Sequence, residues 1–200
     1  MASPLTIISS KDNYSYNGAS PKNNYGTLTY MYLTAYASYD RRAFVAFLLS
    51  SLPAGATITS ATLSLYYFGF DAGNPTGRQA DVFKITRNDW VEIEQNWEEY
   101  KTGSDWTTEG GDYVTSSPAG ANTTFPASAG AWMDWDIKAI VEDAVTNSLN
   151  VNLIVKMNVE GGTDYEPKFY SREYSDNTAL RPKLVIEYTE VTFIPSVIMM

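Results

Sequence analysis

Ala43-Phe-Val-Ala-Phe-Leu-Leu49, Ser50-Ser-Leu-Pro-Ala-Gly55 and Ile58-Thr-Ser-Ala-Thr-Leu-Ser-Leu-Tyr-Tyr67 follow one another and decide the fold class. The first run is apolar at every position, as in a strand covered on both faces. The second carries Pro53 and Gly55 and reads as a turn. The third alternates: Ala61, Leu63, Leu65 and Tyr67 share one face, and Ser60, Thr62, Ser64 and Tyr66 the other. Similar strand signals lie outward at Leu5–Ile8, Leu28–Tyr36, Ala80–Thr86, Trp132–Ile137, Val151–Met157, Lys168–Arg172 and Lys183–Thr189. Only Ile137, Ile140, Val141, Ala144 and Val145 follow helical spacing, with Asp136 placed to cap them. The expectation is an all-β, two-sheet antiparallel jelly-roll sandwich with one short helix near Ile137–Asn147, whose apolar stripe covers one end. No repeat or flexible linker divides the chain, so residues 1–190 read as one domain.

Composition narrows the chemistry. The chain has no Cys and no His, which removes disulfides, imidazole bases, thiol nucleophiles and the usual zinc ligands. A net charge of −9 opposes binding to nucleic acid or anionic membranes. Met1-Ala-Ser-Pro4 leads into a strand-like run with no basic region and no long apolar segment, so a signal peptide is not expected there, and no apolar stretch reaches the length of a membrane span. Fifteen Tyr and five Trp suit pleated sheets and contact surfaces alike. All five Trp fall between Trp90 and Trp135, around a long irregular segment from Arg87 to Ala131. A connection of that length is usually functional or pinned by its own side chains.

Several landmarks resemble the DNRLRE-type domain, a jelly-roll module grouped with carbohydrate-binding modules. They are Asp12-Asn-Tyr14, Asn24-Tyr-Gly26, Arg42-Ala-Phe-Val-Ala-Phe47 and the block from Ser51 to Tyr66. Asp89-Trp90, Asn96-Trp97, Trp135-Asp-Ile137, Ser171-Arg-Glu173 and Leu180-Arg-Pro-Lys-Leu-Val-Ile-Glu-Tyr188 complete the set. Asp176-Asn-Thr-Ala-Leu-Arg181 matches the naming motif in part. The resemblance spans about residues 5–189 and implies a jelly roll, sugar binding in some members, and attachment to secreted or surface proteins. The segment Trp97-Glu-Glu-Tyr-Lys-Thr-Gly-Ser-Asp-Trp106 also resembles structural proteins of tailed phages.

The candidate sites follow from side-chain chemistry. Trp106 is the loop aromatic expected to be exposed; Trp90, Trp97 and Trp135 are expected to pin the segment. Tyr30, Tyr32 and Tyr36 share one face of a single strand and could offer a flat ligand or subunit surface, or simply line the interior. Arg41, Arg42 and Arg172 could clamp an acidic sugar, while for Arg172 and Arg181 internal pairing with Glu173 or Glu187 is the stronger expectation. Oxygen-only ligands make calcium the one metal the composition favours, with Asp12, Asn13, Asp164 and Asp176 as candidates. Asp134/Asp136 and Glu160/Glu173 are carboxylate pairs, but no motif marks either as catalytic. Phe193, Ile194, Val197, Ile198, Met199 and Met200 form an apolar tail, residues 191–200, expected to dock on a partner.

These features give a leading reading: a non-catalytic structural or adhesive component of a larger extracellular or virion surface assembly. Its partners would be other protein subunits or copies of itself, with a glycan as a further ligand. The alternative is a stand-alone carbohydrate-binding module, and third comes a glycan-active enzyme using an Asp/Glu pair.

Overall fold

The computed structural model describes residues 4–117, 121–162 and 164–190. The apolar tail, including Phe193, Ile194, Val197, Ile198, Met199 and Met200, lies outside the described residues. Two six-stranded antiparallel sheets pack face to face as a jelly-roll sandwich. The first runs β1 (Leu5–Ile8), β14 (Lys183–Thr189), β6 (Thr57–Phe70), β13 (Pro167–Tyr170) and β3 (Tyr30–Tyr32), with β11 (Ala131–Asp136) also paired to β6. The second runs β10 (Asn122–Thr124), β7 (Gln79–Lys84), β12 (Val151–Met157), β5 (Asp40–Phe47) and β2 (Lys11–Tyr16), with β4 (Thr34–Ala35) also paired to β5. A small ribbon of β8 (Glu99–Lys101) and β9 (Ser104–Asp105) stands apart from both.

The alternation seen in the sequence sets the layers. Ile58, Ala61, Leu63, Leu65 and Tyr67 of β6 point inward against Val45 and Phe47 of β5, Leu153 and Val155 of β12, and Trp135, Phe169, Leu184 and Ile186. As the unbroken apolar run implied, β5 is covered on both sides. Its Phe44 and Ala46 belong to a second buried cluster with Ile85, Trp90, Tyr100, Trp106 and Ile154. Residues 85–113 thus lie over the outer face of the β5 sheet as a third layer. For that reason all seven residues of β12 are buried, including Asn152 and Lys156 on its outer side. Gly110 sits where this layer presses closest: it adopts a φ of 81°, and an added Cβ would lie 2.6 Å from the Arg42 guanidinium and from the Trp97 ring.

The helix α1 (Lys138–Thr146) buries Ile140, Val141 and Ala144 and packs on β6 of one sheet and β12 of the other, closing one end of the sandwich. The N-cap is Ile137, without a side-chain cap, rather than Asp136; the Asp136 carboxylate, one residue earlier, accepts from the Lys138 backbone N–H at 2.9 Å. The stretch Leu28–Tyr36 is not one strand. It pairs with β13 through Tyr32, then with β5 from Thr34, and so crosses between sheets at Leu33. No helix among the described residues is long and apolar enough to cross a membrane.

Candidate functional site

The strand break at Leu33 reshapes the expected tyrosine row. Tyr30 and Tyr32 lie on the first sheet, and their rings meet edge to face at 5.3 Å. Tyr36 lies beyond the crossing and stacks on Tyr39 at 4.6 Å. Arg41 connects the two parts: its guanidinium lies 4.7 Å from the Tyr32 ring, 5.0 Å from Tyr39, and 2.8 Å from Glu166. The Tyr39 hydroxyl donates to the same Glu166 carboxylate at 2.6 Å. The four candidates therefore form a folded aromatic–arginine cluster at the sandwich edge rather than a flat row.

Arg41 and Arg42 are adjacent on β5 and consequently face opposite ways, which separates them as a clamp. Arg42 turns outward under the third layer, pairs with Glu160 through Nε and Nη2 at 2.7 and 2.9 Å, and lies 4.7 Å over Trp97. Both guanidiniums already hold internal carboxylates. Arg172 also pairs internally, with Glu92 at 2.8 Å and Glu173 at 3.4 Å, whereas Arg181 donates to the Tyr174 carbonyl at 2.9 Å. Trp106 is not an exposed aromatic. It is 4% exposed, stacks on Phe44 at 5.7 Å, and donates from Nε1 to the Asn96 carbonyl at 3.0 Å. Trp90, Trp97 and Trp135 are buried as expected.

The calcium candidates do not converge. Asp164 and Asp176 are exposed, and Asn13 spends its amide on Gln95. Asp12 instead meets Glu92 and Glu173, with one oxygen of each within 4.8 Å of the others. Burial, and then the Glu173 charge, pushes the Asp12 carboxyl well above the usual range; burial and then Glu92 raise Glu173. The carboxylate pairs also separate. Glu160 belongs to Arg42 and Lys156, while Glu173 belongs to Arg172. Asp134 accepts from the Ser64 hydroxyl at 2.6 Å, and Asp136 is taken up at the helix start.

The other concentration of accessible aromatics lies on the outer face of the first sheet. Trp132 on β11 stands opposite Tyr66 on β6, with ring centroids 5.3 Å apart and planes 78° apart. Tyr66 stacks parallel to Tyr170 of β13 at 5.8 Å; Phe68 stacks on Tyr170 at 4.2 Å and Tyr174 on Tyr170 at 3.6 Å. Tyr30 stands opposite Tyr170 on the edge strand β3. The run thus crosses four neighbouring strands. The Lys183 ammonium lies 3.7 Å from the Trp132 ring centroid, and Lys168 pairs with Asp71 beside Phe68. Hydrogen bonds from Lys168 and then Tyr32 hold Asp71 below the usual carboxylate range. The Tyr170 phenol is raised by its hydrogen bond with Tyr174, and then by burial.

Such a face can stack sugar C–H surfaces on an indole and offer phenol, ammonium and carboxylate groups to hydroxyls. Only Tyr30 of this run was singled out from the sequence. The signal for the rest was present in the alternation of β6, which places Tyr66 on the polar side. There an aromatic has no core to fill. A concavity of about 630 Å³ lies on the third layer and is lined by Thr86, Arg87, Thr107, Thr108, Asp112 and Tyr113 among others.

The model of carbohydrate-binding module family 96 matches residues 3–188, nearly the whole chain. Comparison with curated proteins finds no match. The match favours the carbohydrate-binding reading of the sequence over the assembly reading.

Proposed function

Because the chain belongs to carbohydrate-binding module family 96, we propose that it is a non-catalytic glycan-binding domain whose ligand lies on the outer face of the first sheet. One observation carries this reading: Trp132, Tyr66, Phe68 and Tyr170, with Tyr174 from the turn after β13, form a continuous aromatic run on the outer sheet face, and all five rings are partly exposed. Outward strand positions on a sheet wetted on one side ordinarily alternate to polar residues. Trp132 is turned across the parallel stack of the other rings, so it supplies the stacking surface, and the neighbouring phenols and Lys183 supply hydrogen bonds. The absence of His and Cys, and the commitment of Glu160, Asp134 and Asp136 to structural partners, support a binding rather than a hydrolytic role.

The test is a polysaccharide array followed by affinity electrophoresis on any ligand found. Trp132→Ala and Tyr170→Ala should each weaken retention at least tenfold, or about 1.4 kcal/mol. Thr108→Ala, in the groove of the third layer, should leave retention unchanged. If the groove variant loses binding while both aromatic variants keep it, the assigned face is incorrect.

A further inference from the structure

Three carboxylates from distant parts of the chain meet where β2, the third layer and the turn after β13 come together. Asp12 on β2 is 1% exposed. Its Oδ2 accepts from the Ser9 hydroxyl at 3.0 Å and from the Arg172 backbone N–H at 2.9 Å, but its Oδ1 has no hydrogen-bond partner. Glu92 accepts the Asp12 backbone N–H on one oxygen, at 2.7 Å, and Arg172 on the other, at 2.8 Å. Glu173 meets Arg172 at 3.4 Å through Oε1, and its Oε2 is buried without a partner.

The charges do not balance. Arg172 is the one cation paired with these three carboxylates among the described residues. Lys11 feels Glu92 at longer range, but its ammonium donates to the Trp90 carbonyl at 2.6 Å and lies over the Trp90 ring. Fully ionised, the three carboxylates and Arg172 would carry an excess of two negative charges around a carboxylate that is 1% exposed. A buried carboxylate without a counter-charge is among the costliest arrangements a fold can contain. A trapped water could donate to Asp12 Oδ1 or Glu173 Oε2, yet it would leave the charge uncorrected.

The geometry points to a divalent-cation site formed by Asp12, Glu92 and Glu173, with calcium as its ion. The ligand oxygens are all hard, which excludes metals that favour sulfur or imidazole. They come from a strand, an irregular segment and a turn, so their positions adjust to a loose shell of six to eight oxygens better than to the strict octahedron magnesium demands. The ion would join the third layer to the sandwich at a point where both also meet the turn carrying Tyr174. This inference does not depend on glycan binding.

Chelator-stripped full-length protein, titrated separately with calcium chloride and magnesium chloride, tests it by differential scanning fluorimetry and calorimetry. Calcium at a hundredfold excess over its Kd should raise the Tm by about 5 °C or more, and magnesium by much less. Asp12→Asn should abolish the calcium increment without lowering the Tm of the stripped protein, because it replaces an anionic ligand with a neutral amide and keeps the side chain's shape. Should Asp12→Asn fail to fold, the half-buried Glu173→Gln carries the same expectation of at least tenfold weaker calcium binding. Glu94→Gln, outside the trio, should retain the full shift. The site is overturned if stripped wild-type protein shows neither a calcium-dependent Tm shift nor binding heat, or if the Asp12 and Glu173 variants keep the wild-type response. An equal response to magnesium overturns the choice of calcium.

Discussion

Both sheets of this sandwich carry aromatic residues on their outer faces, and the two faces have opposite fates. On the β5 sheet, Phe44 lies beneath Trp90 and Trp106, and residues 85–113 seal it from water. On the β6 sheet, Tyr66, Phe68, Tyr170 and Trp132 remain partly exposed. Residue type does not separate the two cases; the supply of a cover does. The cover is itself held by polar groups that would be costly to bury alone. Trp90 Nε1 donates to Asn152 at 2.9 Å, and the Asn13 amide reaches the Gln95 side chain at 2.7 Å. An aromatic outer face is therefore core where the chain brings its own lid, and where it does not it is the surface to which the proposed function assigns the ligand.

Removing one indole from each face gives the sharpest test of that contrast. Trp90→Ala should destabilise the domain by about 3–5 kcal/mol, since it empties the middle of the covered face and orphans the Asn152 side-chain Oδ1. Urea unfolding should register this loss without any ligand present. Trp132→Ala, by contrast, should cost about 1 kcal/mol or less while removing glycan retention. Equal losses of stability from the two would erase the distinction between core and surface. Next in size is Gln95→Ala, which strips the Asn13 amide of a buried acceptor and should cost about 1–3 kcal/mol. Limited proteolysis of that variant should cut first within residues 85–113 if the lid is the weaker unit. The smallest effect concerns acid. The Asp71 carboxyl lies lower in the folded protein than in the unfolded chain, so its contribution is present at neutral pH and fades as pH falls below the ordinary carboxylate range. Asp71→Asn should flatten that acid limb by less than about 1 kcal/mol, because solvent screens the pair. A larger change would mean that the open face is more structural than the comparison allows.

The sequence made the two-sheet frame legible wherever burial was one-sided or total. Val151–Met157 and Lys183–Thr189 coincide with β12 and β14 for that reason. The strand β2 escaped because Lys11-Asp-Asn-Tyr-Ser-Tyr16 looks polar; Asp12, Asn13 and Ser15 are nevertheless buried, two of them under contacts made some eighty residues away. No local pattern announces such partners. The crossing at Leu33 escaped too, since Met31, Leu33, Thr34 and Ala35 are all buried and one-dimensional burial does not say in which sheet. Trp106 shows the same limit. A Trp in an irregular segment looks available until its neighbours Phe44 and Tyr100 are known. The open face was half legible, because the alternation of β6 already set Tyr66 apart from the core.

The pairing of β1 with β14 has a mechanical consequence. Leu5 stands opposite Ile186, and Ile8 opposite Lys183, so the chain comes into the sheet and leaves it at the same end of one antiparallel pair. Tension applied between Leu5 and Thr189 would load the rungs of that pair one after another, in the manner of a zipper, instead of sharing the load among all of them at once. A domain held through its two ends should accordingly open at low force by peeling β1 away, while the doubly covered β5 at the centre keeps its partners until last.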